Sequence, residues 1–255
     1  MEKPKKRIAI FVIAYEAVNT LDKVIDRIPK EVLDKVEEIF VFDDCSNDNT
    51  YYAGLGYKAV KKLDKLSIYR NPKNLGYGGN QKNGYQYAIK KGYDIVVMLH
   101  GDAQYAPEEL PKLLEPLEND EADAVFGSRM LGNPLKGGMP VYKYYGNRVL
   151  TFLENTILGM ALSEFHSGYR LYSCHALKKI PFERCADNFH FDTEIIILFK
   201  DKNLRIAERP IPTYYGDEIC YVNGLSYAYH CLESVLSYRL HKSGRRKIPK
   251  FDLPR

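Results

Sequence analysis

The chain has no tryptophan, and its five cysteines (Cys45, Cys174, Cys185, Cys220, Cys231) contain no Cys-x-x-Cys pair. An odd, scattered set argues for reduced thiols in a cytosolic protein, and against a disulfide framework or a zinc site. No run reaches the ~20 apolar residues that a membrane-crossing helix needs. No secretory leader is expected either, because the basic start leads into a strand-like run of only seven residues, 8–14. An excess of one charge is also missing: 37 Lys and Arg against 33 Asp and Glu leave a net charge of +4. That balance is too mild to argue for nucleic acid, and no nucleic-acid partner is expected. A cytoplasmic protein, at most peripheral on the cytoplasmic face of a membrane, is the expectation.

At 255 residues, with 45% hydrophobic and 27% charged residues, the chain has the make-up of a globular protein with a substantial core. Its basic residues gather at the two ends, in Lys3-Pro4-Lys5-Lys6-Arg7 and again in Lys242, Arg245, Arg246 and Lys247. The first group reads as a solvated tail. The second follows a Tyr/Leu-rich helix, where anionic lipid would attract each Lys or Arg by roughly 1 kcal/mol.

Apolar periodicity predicts strands at 8–14, 36–42, 66–69, 95–99 and 124–126. Between and after them it predicts helices at 21–28 (capped by Asn19), 50–63, 76–91, 107–117, 144–158 and 225–241. Such alternation predicts right-handed βαβ units and a Rossmann-like, mostly parallel sheet flanked by helices, with ligands at the carboxyl ends of the strands. The C-terminal third is less regular. The division expected is a main domain over 7–215, a loop and helix packed on it over 216–241, and a flexible basic tail over 242–255.

Polar clusters stand where successive strands end: Ala14-Tyr15-Glu16, then 43–50 beginning Asp43-Asp44-Cys45, then Asn74-Leu75-Gly76-Tyr77-Gly78-Gly79, then His100-Gly101-Asp102-Ala103-Gln104. Each alone has an ordinary structural explanation. Ser46 or Asp48 suits a helix cap, and the glycines suit a tight turn. Their functional alternative is that helix-start amides accept phosphate. Asp102 and Gln104 offer oxygen ligands to a hard divalent cation. Together the clusters supply what a nucleoside diphosphate and its metal require.

These motifs make the chain resemble a family 2 glycosyltransferase of GT-A fold, in the dolichol-phosphate mannose synthase-like branch. The family's Asp-Asp-Gly-Ser-x-Asp-x-Thr motif is matched by 43–50 with Cys45 for glycine, and its Asn-x-Gly-x-Gly motif by 74–78. Its Asp-Ala-Asp-Leu-Gln metal motif aligns with 100–104, with His100 in place of a carboxylate. Its Gly-x-Arg and Ser-Gly-x-Arg segments match Gly127-Ser128-Arg129 and Ser167-Gly168-Tyr169-Arg170. The resemblance implies that Ala14, Tyr15, Glu16, Asp43, Asp44, Asn74, Gly76, Tyr77, Gly78 and Asp102 line the donor nucleotide, GDP- or UDP-linked. It implies Mg²⁺ or Mn²⁺ on Asp102 and Gln104, with His100 a third ligand or an ordinary strand-end histidine; imidazole suits Mn²⁺ better than Mg²⁺.

The implied reaction inverts the sugar as it passes from a nucleotide diphosphate to an acceptor, and Asp102, Arg129 and Asp192 are the candidate catalytic residues. A polyprenyl phosphate is already anionic at neutral pH, so it needs cations rather than a general base. Arg129, Lys143 and Arg170 are the candidates, with Arg148 beside them. A hydroxyl acceptor on a glycan would instead need a carboxylate, supplied by Glu164, Asp192 or Glu194. Nucleotidyl transfer, or a non-catalytic nucleotide-binding module, would draw on the same nucleotide site. A lipid acceptor would require a membrane surface or a membrane-embedded partner, and the Tyr-rich stretch 214–218 with Tyr221 would form an acceptor-side loop.

Overall fold

A computed structural model describes residues 5–213 and 223–252. The sheet is built outward from β1 (Ile8–Ala14), whose seven residues are all buried. Its side chains alternate between two apolar layers, as a pleated strand dictates. Ala9, Phe11 and Ile13 enter an aromatic layer with Phe40, Tyr85 and Phe126, while Ile8, Ile10, Val12 and Ala14 enter an aliphatic one with Val97, Leu113 and Leu117.

Among the described residues one sheet holds β1, β2 (Val36–Asp43), β3 (Leu66–Arg70), β4 (Ile95–His100), β5 (Ala124–Ser128), β6 (Arg170–Ser173) and β7 (Ile206–Pro210). Their order is β3-β2-β1-β4-β6-β5-β7. All neighbours are parallel except β6, which runs antiparallel to both β4 and β5. The helices are α1 (Leu21–Asp26), α2 (Lys30–Lys35), α3 (Thr50–Lys61), α4 (Gly76–Lys91), α5 (Leu110–Glu118), α6 (Val141–Leu158), α7 (Cys174–Leu177), α8 (Phe191–Asp201) and α9 (Gly224–Lys242).

The expected α/β organisation holds, and β1 and α4 run between the residues expected of them. Five elements fall outside the expected strands and helices: β6, β7, α2, α7 and α8. β6 and β7 are short strands in the part whose apolar pattern is loose, and α2 is one and a half turns following Pro29. Residues Pro107–Glu109 make a single 3₁₀ turn before α5. α1 begins at Leu21 as expected, but its N-cap position is Thr20 rather than Asn19, and the Thr20 hydroxyl donates to the Gly101 carbonyl at 2.6 Å instead of capping the helix.

The basic tail departs from the expectation of flexibility. After α9 the chain doubles back so that Phe251 is buried in the aromatic layer, and Lys250 pairs with the buried Glu194. One aromatic and one paired lysine outweigh the polar composition that suggested a loose end. The boundary drawn at 215 and 216 lies outside the described residues, as do the tyrosines of the 214–221 stretch.

Candidate active site

Strand register gathers the clusters at one sheet edge. Ala14 lies beside Asp43, Asp43 beside Arg70, and Ile13 beside His100. The loops beyond are laced together: Asp44 N–H donates to Ala14 O and Gly101 N–H to Ile13 O, both at 2.8 Å, and Glu16 N–H donates to Ser46 Oγ at 2.9 Å. Three residues just past strand ends turn the chain through left-handed backbone: Glu16 (φ 50°), Cys45 (φ 57°) and Ala103 (φ 63°). Few non-glycine residues sit there, and Cys45 occupies the glycine position of the motif. Tyr15 and Glu16 stand exposed at this rim.

The two carboxylates that end β2 point inward. Asp43 accepts from the Ser46 amide and hydroxyl and pairs with Arg70; burial nonetheless pushes its carboxyl above the usual range. Asp44 accepts from Asn71 Nδ2 at 2.8 Å and from Leu75 N–H at 2.9 Å, holding the turn that leads into α4.

That turn does not present open amides. Gly76 N–H donates to the exposed Asn74 side chain, and Gly78 and Gly79 N–H both donate to the Asp187 carbonyl, at 2.7 and 3.2 Å. The glycines serve close packing instead: a Cβ on Gly78 would lie 2.4 Å from Ala186 O and 2.7 Å from Phe191 Cβ. The phosphate-accepting role considered for these glycine amides is therefore corrected, because the segment before α8 already fills it.

Asp102 follows β4 with 43% of its side chain exposed, and its Oδ1 accepts from Gln104 N–H at 3.1 Å. His100 is enclosed between Tyr77 and Tyr105. Its Nδ1 lies 4.0 Å from Asp102 Oδ2 and its Nε2 3.3 Å from Tyr77 Oη. Burial lowers the imidazole pKa despite Asp102 nearby, so the ring is neutral at physiological pH. One outward carboxylate, one half-exposed amide and a neutral imidazole edge suit a hard cation that brings phosphate oxygens with it. Among the described residues no third carboxylate or thiol joins Asp102 to make a self-sufficient cage.

Behind this rim, Asp192 is only 5% exposed. Tyr77 Oη donates to its Oδ2 at 3.0 Å, Gln81 Nε2 to its Oδ1 at 3.2 Å, and Arg170 lies 3.6 Å away. Arg170 is itself buried beneath the Phe126 ring, donating to the carbonyls of Ser167, Phe165 and Asp192. The structure thus places Arg170 in the core rather than at an acceptor phosphate; a strand position on β6, flanked by Tyr169 and Leu171, carries it inside. Gly168 closes the same wall, since a Cβ there would meet His100 Nε2 at 2.5 Å. Gln81 and Tyr105, whose hydroxyl accepts from Gly168 N–H at 2.7 Å, were not anticipated. Gln81 lies three residues past Gly78, on the helix face that Gly78 presents to α8, and that spacing was the available signal.

On the far side, Arg129 leaves β5 and is gripped by the buried Glu164, which accepts from its backbone N–H at 2.8 Å and its Nε at 2.9 Å. Burial opposes charge on Glu164, but Arg129 and the Asn147 amide hold its carboxyl below the usual range. Glu194 is equally engaged, by Ala186 N–H, Ser234 and Lys250. Lys143 is half-buried on the first turn of α6, and Arg148 is exposed one turn later, donating to Tyr144.

Comparison with known proteins agrees with this arrangement. A family model described as glycosyl transferase family 2 matches residues 9–181. The UDP-N-acetylglucosamine–dolichyl-phosphate N-acetylglucosaminyltransferase of Methanococcus voltae is 29% identical over 228 residues, covering 83% of this chain and 87% of that protein. The undecaprenyl-phosphate mannosyltransferase of Micrococcus luteus is 26% identical over 207 residues, covering 80% and 82%. Among solved structures, glucosyl-3-phosphoglycerate synthase from Mycobacterium tuberculosis, in complex with Mn²⁺, UDP-glucose and phosphoglyceric acid, aligns with a TM-score of 0.65 at 20% identity, over 92% of this chain and 79% of that one. The chain therefore belongs to glycosyl transferase family 2, in the dolichol-phosphate mannose synthase-like branch, and is a glycosyltransferase of GT-A fold.

Proposed function

We propose that this enzyme transfers a sugar, with inversion, from a nucleotide diphosphate donor to a polyprenyl phosphate, assisted by Mg²⁺ or Mn²⁺. One observation carries the choice of acceptor: all three carboxylates considered as a general base are engaged internally. Asp192 is held by Tyr77, Gln81 and Arg170, Glu164 by Arg129 and Asn147, and Glu194 by Lys250, Ser234 and a backbone amide. A hydroxyl nucleophile needs such a base within hydrogen-bond reach. A phosphate monoester, with its second pKa near ~6, carries its nucleophilic charge already.

A metal bound at this edge would supply Lewis-acid neutralisation for the charge of the departing diphosphate. Asp102 and Gln104 would hold the metal, with the neutral His100 edge beside them. Tyr15 and Glu16 at the rim of β1 would face the nucleoside. Glu164 orients the Arg129 guanidinium, which together with Lys143 would receive the acceptor phosphate. A uridine-linked donor is supported by the UDP-N-acetylglucosamine-dependent activity of the Methanococcus voltae relative and by the UDP-glucose bound in the mycobacterial structure.

Incubating the purified protein with UDP-, GDP-, CDP- and dTDP-sugars and a short-chain polyprenyl phosphate tests the reading. A lipid-linked product and free nucleoside diphosphate are expected. Transfer only to a glycan hydroxyl, or release of pyrophosphate, would overturn it. Asp192→Asn separates the acceptor classes further. It should retain transfer to within about tenfold where the variant is folded, whereas loss of a general base costs 10²-fold or more.

A lipid acceptor also requires a membrane surface. No helix among the described residues is long and apolar enough to cross a bilayer. However, α6 exposes Val141, Tyr142, Tyr145, Val149 and Phe152, and the packed neighbour α9 exposes Leu225, Tyr229 and Leu236. With Arg245 and Arg246 beyond α9, this face suits the interface of an anionic membrane.

A further inference from the structure

Away from the donor site, α6, α9 and the loop before β6 converge on a second polar cluster. Glu154 comes from α6, Cys231 from α9 and His166 from the loop; one ligand atom from each lies within 4.8 Å of the others. Glu154 is wholly buried and the His166 side chain only 7% exposed. Glu154 Oε2 and His166 Nε2 face each other at 3.1 Å, yet neither makes a hydrogen bond. Buried polar atoms left so are rare and call for a partner.

The outer partners of the same three side chains are in place. His166 Nδ1 lies 2.9 Å from Tyr227 Oη. Thr193 Oγ1 lies 3.0 Å from Glu154 Oε1 and 3.3 Å from Cys231 Sγ. Thus Glu154 and His166 are each tethered through the far atom and Cys231 through its sulfur, while His166 Nε2 and Glu154 Oε2 face each other without a hydrogen bond. Metal ligands show this pattern, because outer hydrogen bonds fix the tautomer and orientation of the inner ones. A tetrahedral ion with bonds of about 2.0–2.3 Å spaces its ligands by about 3.2–3.6 Å, close to the 3.1 Å between Nε2 and Oε2.

We propose that Glu154, His166 and Cys231 bind a zinc ion, with Tyr227 and Thr193 as its outer shell. The mixed nitrogen, sulfur and oxygen set selects a borderline-soft ion, unlike the oxygen-rich Asp102 site. The sequence argued against zinc because the cysteines lack paired spacing, but these ligands come from three separate elements. Zn²⁺ takes Cys231 as thiolate, so one proton is released per ion bound. The ion pins the loop that carries Glu164 and Gly168, both walls of the active site, to α6 and α9. The proposal does not depend on the identity of donor or acceptor.

Cobalt titration of the chelator-stripped full chain, without nucleotide, tests it. One equivalent of Co²⁺ should give a thiolate-to-cobalt charge-transfer band in the near ultraviolet, displaced by one equivalent of Zn²⁺. Cys231→Ser should lose the band, while Cys185→Ser and Asp102→Asn should keep it. Tyr227→Phe, which spares the packing of the ring, should weaken Zn²⁺ binding about 10–100-fold. A wild-type protein that retains no zinc and shows no thiolate band with cobalt would overturn the proposal, leaving Glu154 and His166 as an ion pair only.

Discussion

At the residue scale, the site separates side chains that face outward from those that hold the rim together. Asp102 belongs to the first group. Removing its charge by Asp102→Asn should lower kcat/KM for sugar transfer by about 100-fold or more, equivalent to about 3 kcal/mol of transition-state stabilisation. Mn²⁺-dependent binding of a nucleoside diphosphate, followed by calorimetry, should weaken in the same variant. Glu164 belongs to the second group. Its native pKa lies below the ordinary value near ~4.3, so its pairing with Arg129 stabilises the fold above that value and is lost as pH falls through the lower native pKa. Glu164→Gln leaves Arg129 without its counter-charge and should cost about 3 kcal/mol at pH 7. In urea unfolding the difference from wild type should shrink below pH 4.3 or so. Sequence pattern singled out Asp102 just beyond a buried strand and Asp192 at a helix start, and the family resemblance singled out Arg129. Neither could tell that Asp192 and Arg170 neutralise each other indoors. That fact depends on β6 running backwards between two parallel strands, and no local signal encodes it.

At the scale of elements, the start of α4 is the clearest case of one motif with two physical explanations. Glycines before a helix suit phosphate and suit close packing equally well in sequence. The Asp187 carbonyl decides for packing by accepting from Gly78 and Gly79. The strands up to β4 were legible because each is a buried apolar run closed by polar residues. β7 was not, since all but its exposed last residue are half-buried and polar residues interrupt it. The C-terminal segment shows how far composition can mislead. Its thirteen residues after α9 include few apolar side chains, yet Phe251 is 2% exposed against Tyr238 and His241. Phe251→Ala should therefore destabilise the whole protein by about 3–4 kcal/mol, lowering the thermal midpoint rather than only loosening a tail. For the same reason, truncating the chain at residue 242 would confuse membrane affinity with folding.

At the scale of the whole molecule, the proposed membrane face joins the exposed apolar side chains of α6 and α9 to the exposed arginines that follow α9. Reversing Arg245 and Arg246 to Glu leaves the Phe251 anchor intact, since both arginines are exposed. Binding to vesicles containing anionic lipid should weaken by roughly tenfold or more, at about 1 kcal/mol per charge, with no change in thermal midpoint. Equal sedimentation of the variant and wild type with such vesicles would contradict the docking face. The parallel half of the sheet, β3-β2-β1-β4, carries the loops proposed to face the nucleotide, and β6 joins it to β5 and β7. Every parallel strand finishes at the active-site edge, whereas β6 begins there. The connection from α6 therefore enters β6 at the rim itself, with its far end already committed to the core. Glu164, Phe165, Ser167 and Tyr169 along it are buried, so packing and hydrogen bonds rather than length set its course. A single reversed strand thus brings a buried, tightly tethered connection to the same edge that the parallel strands reach with their carboxyl ends.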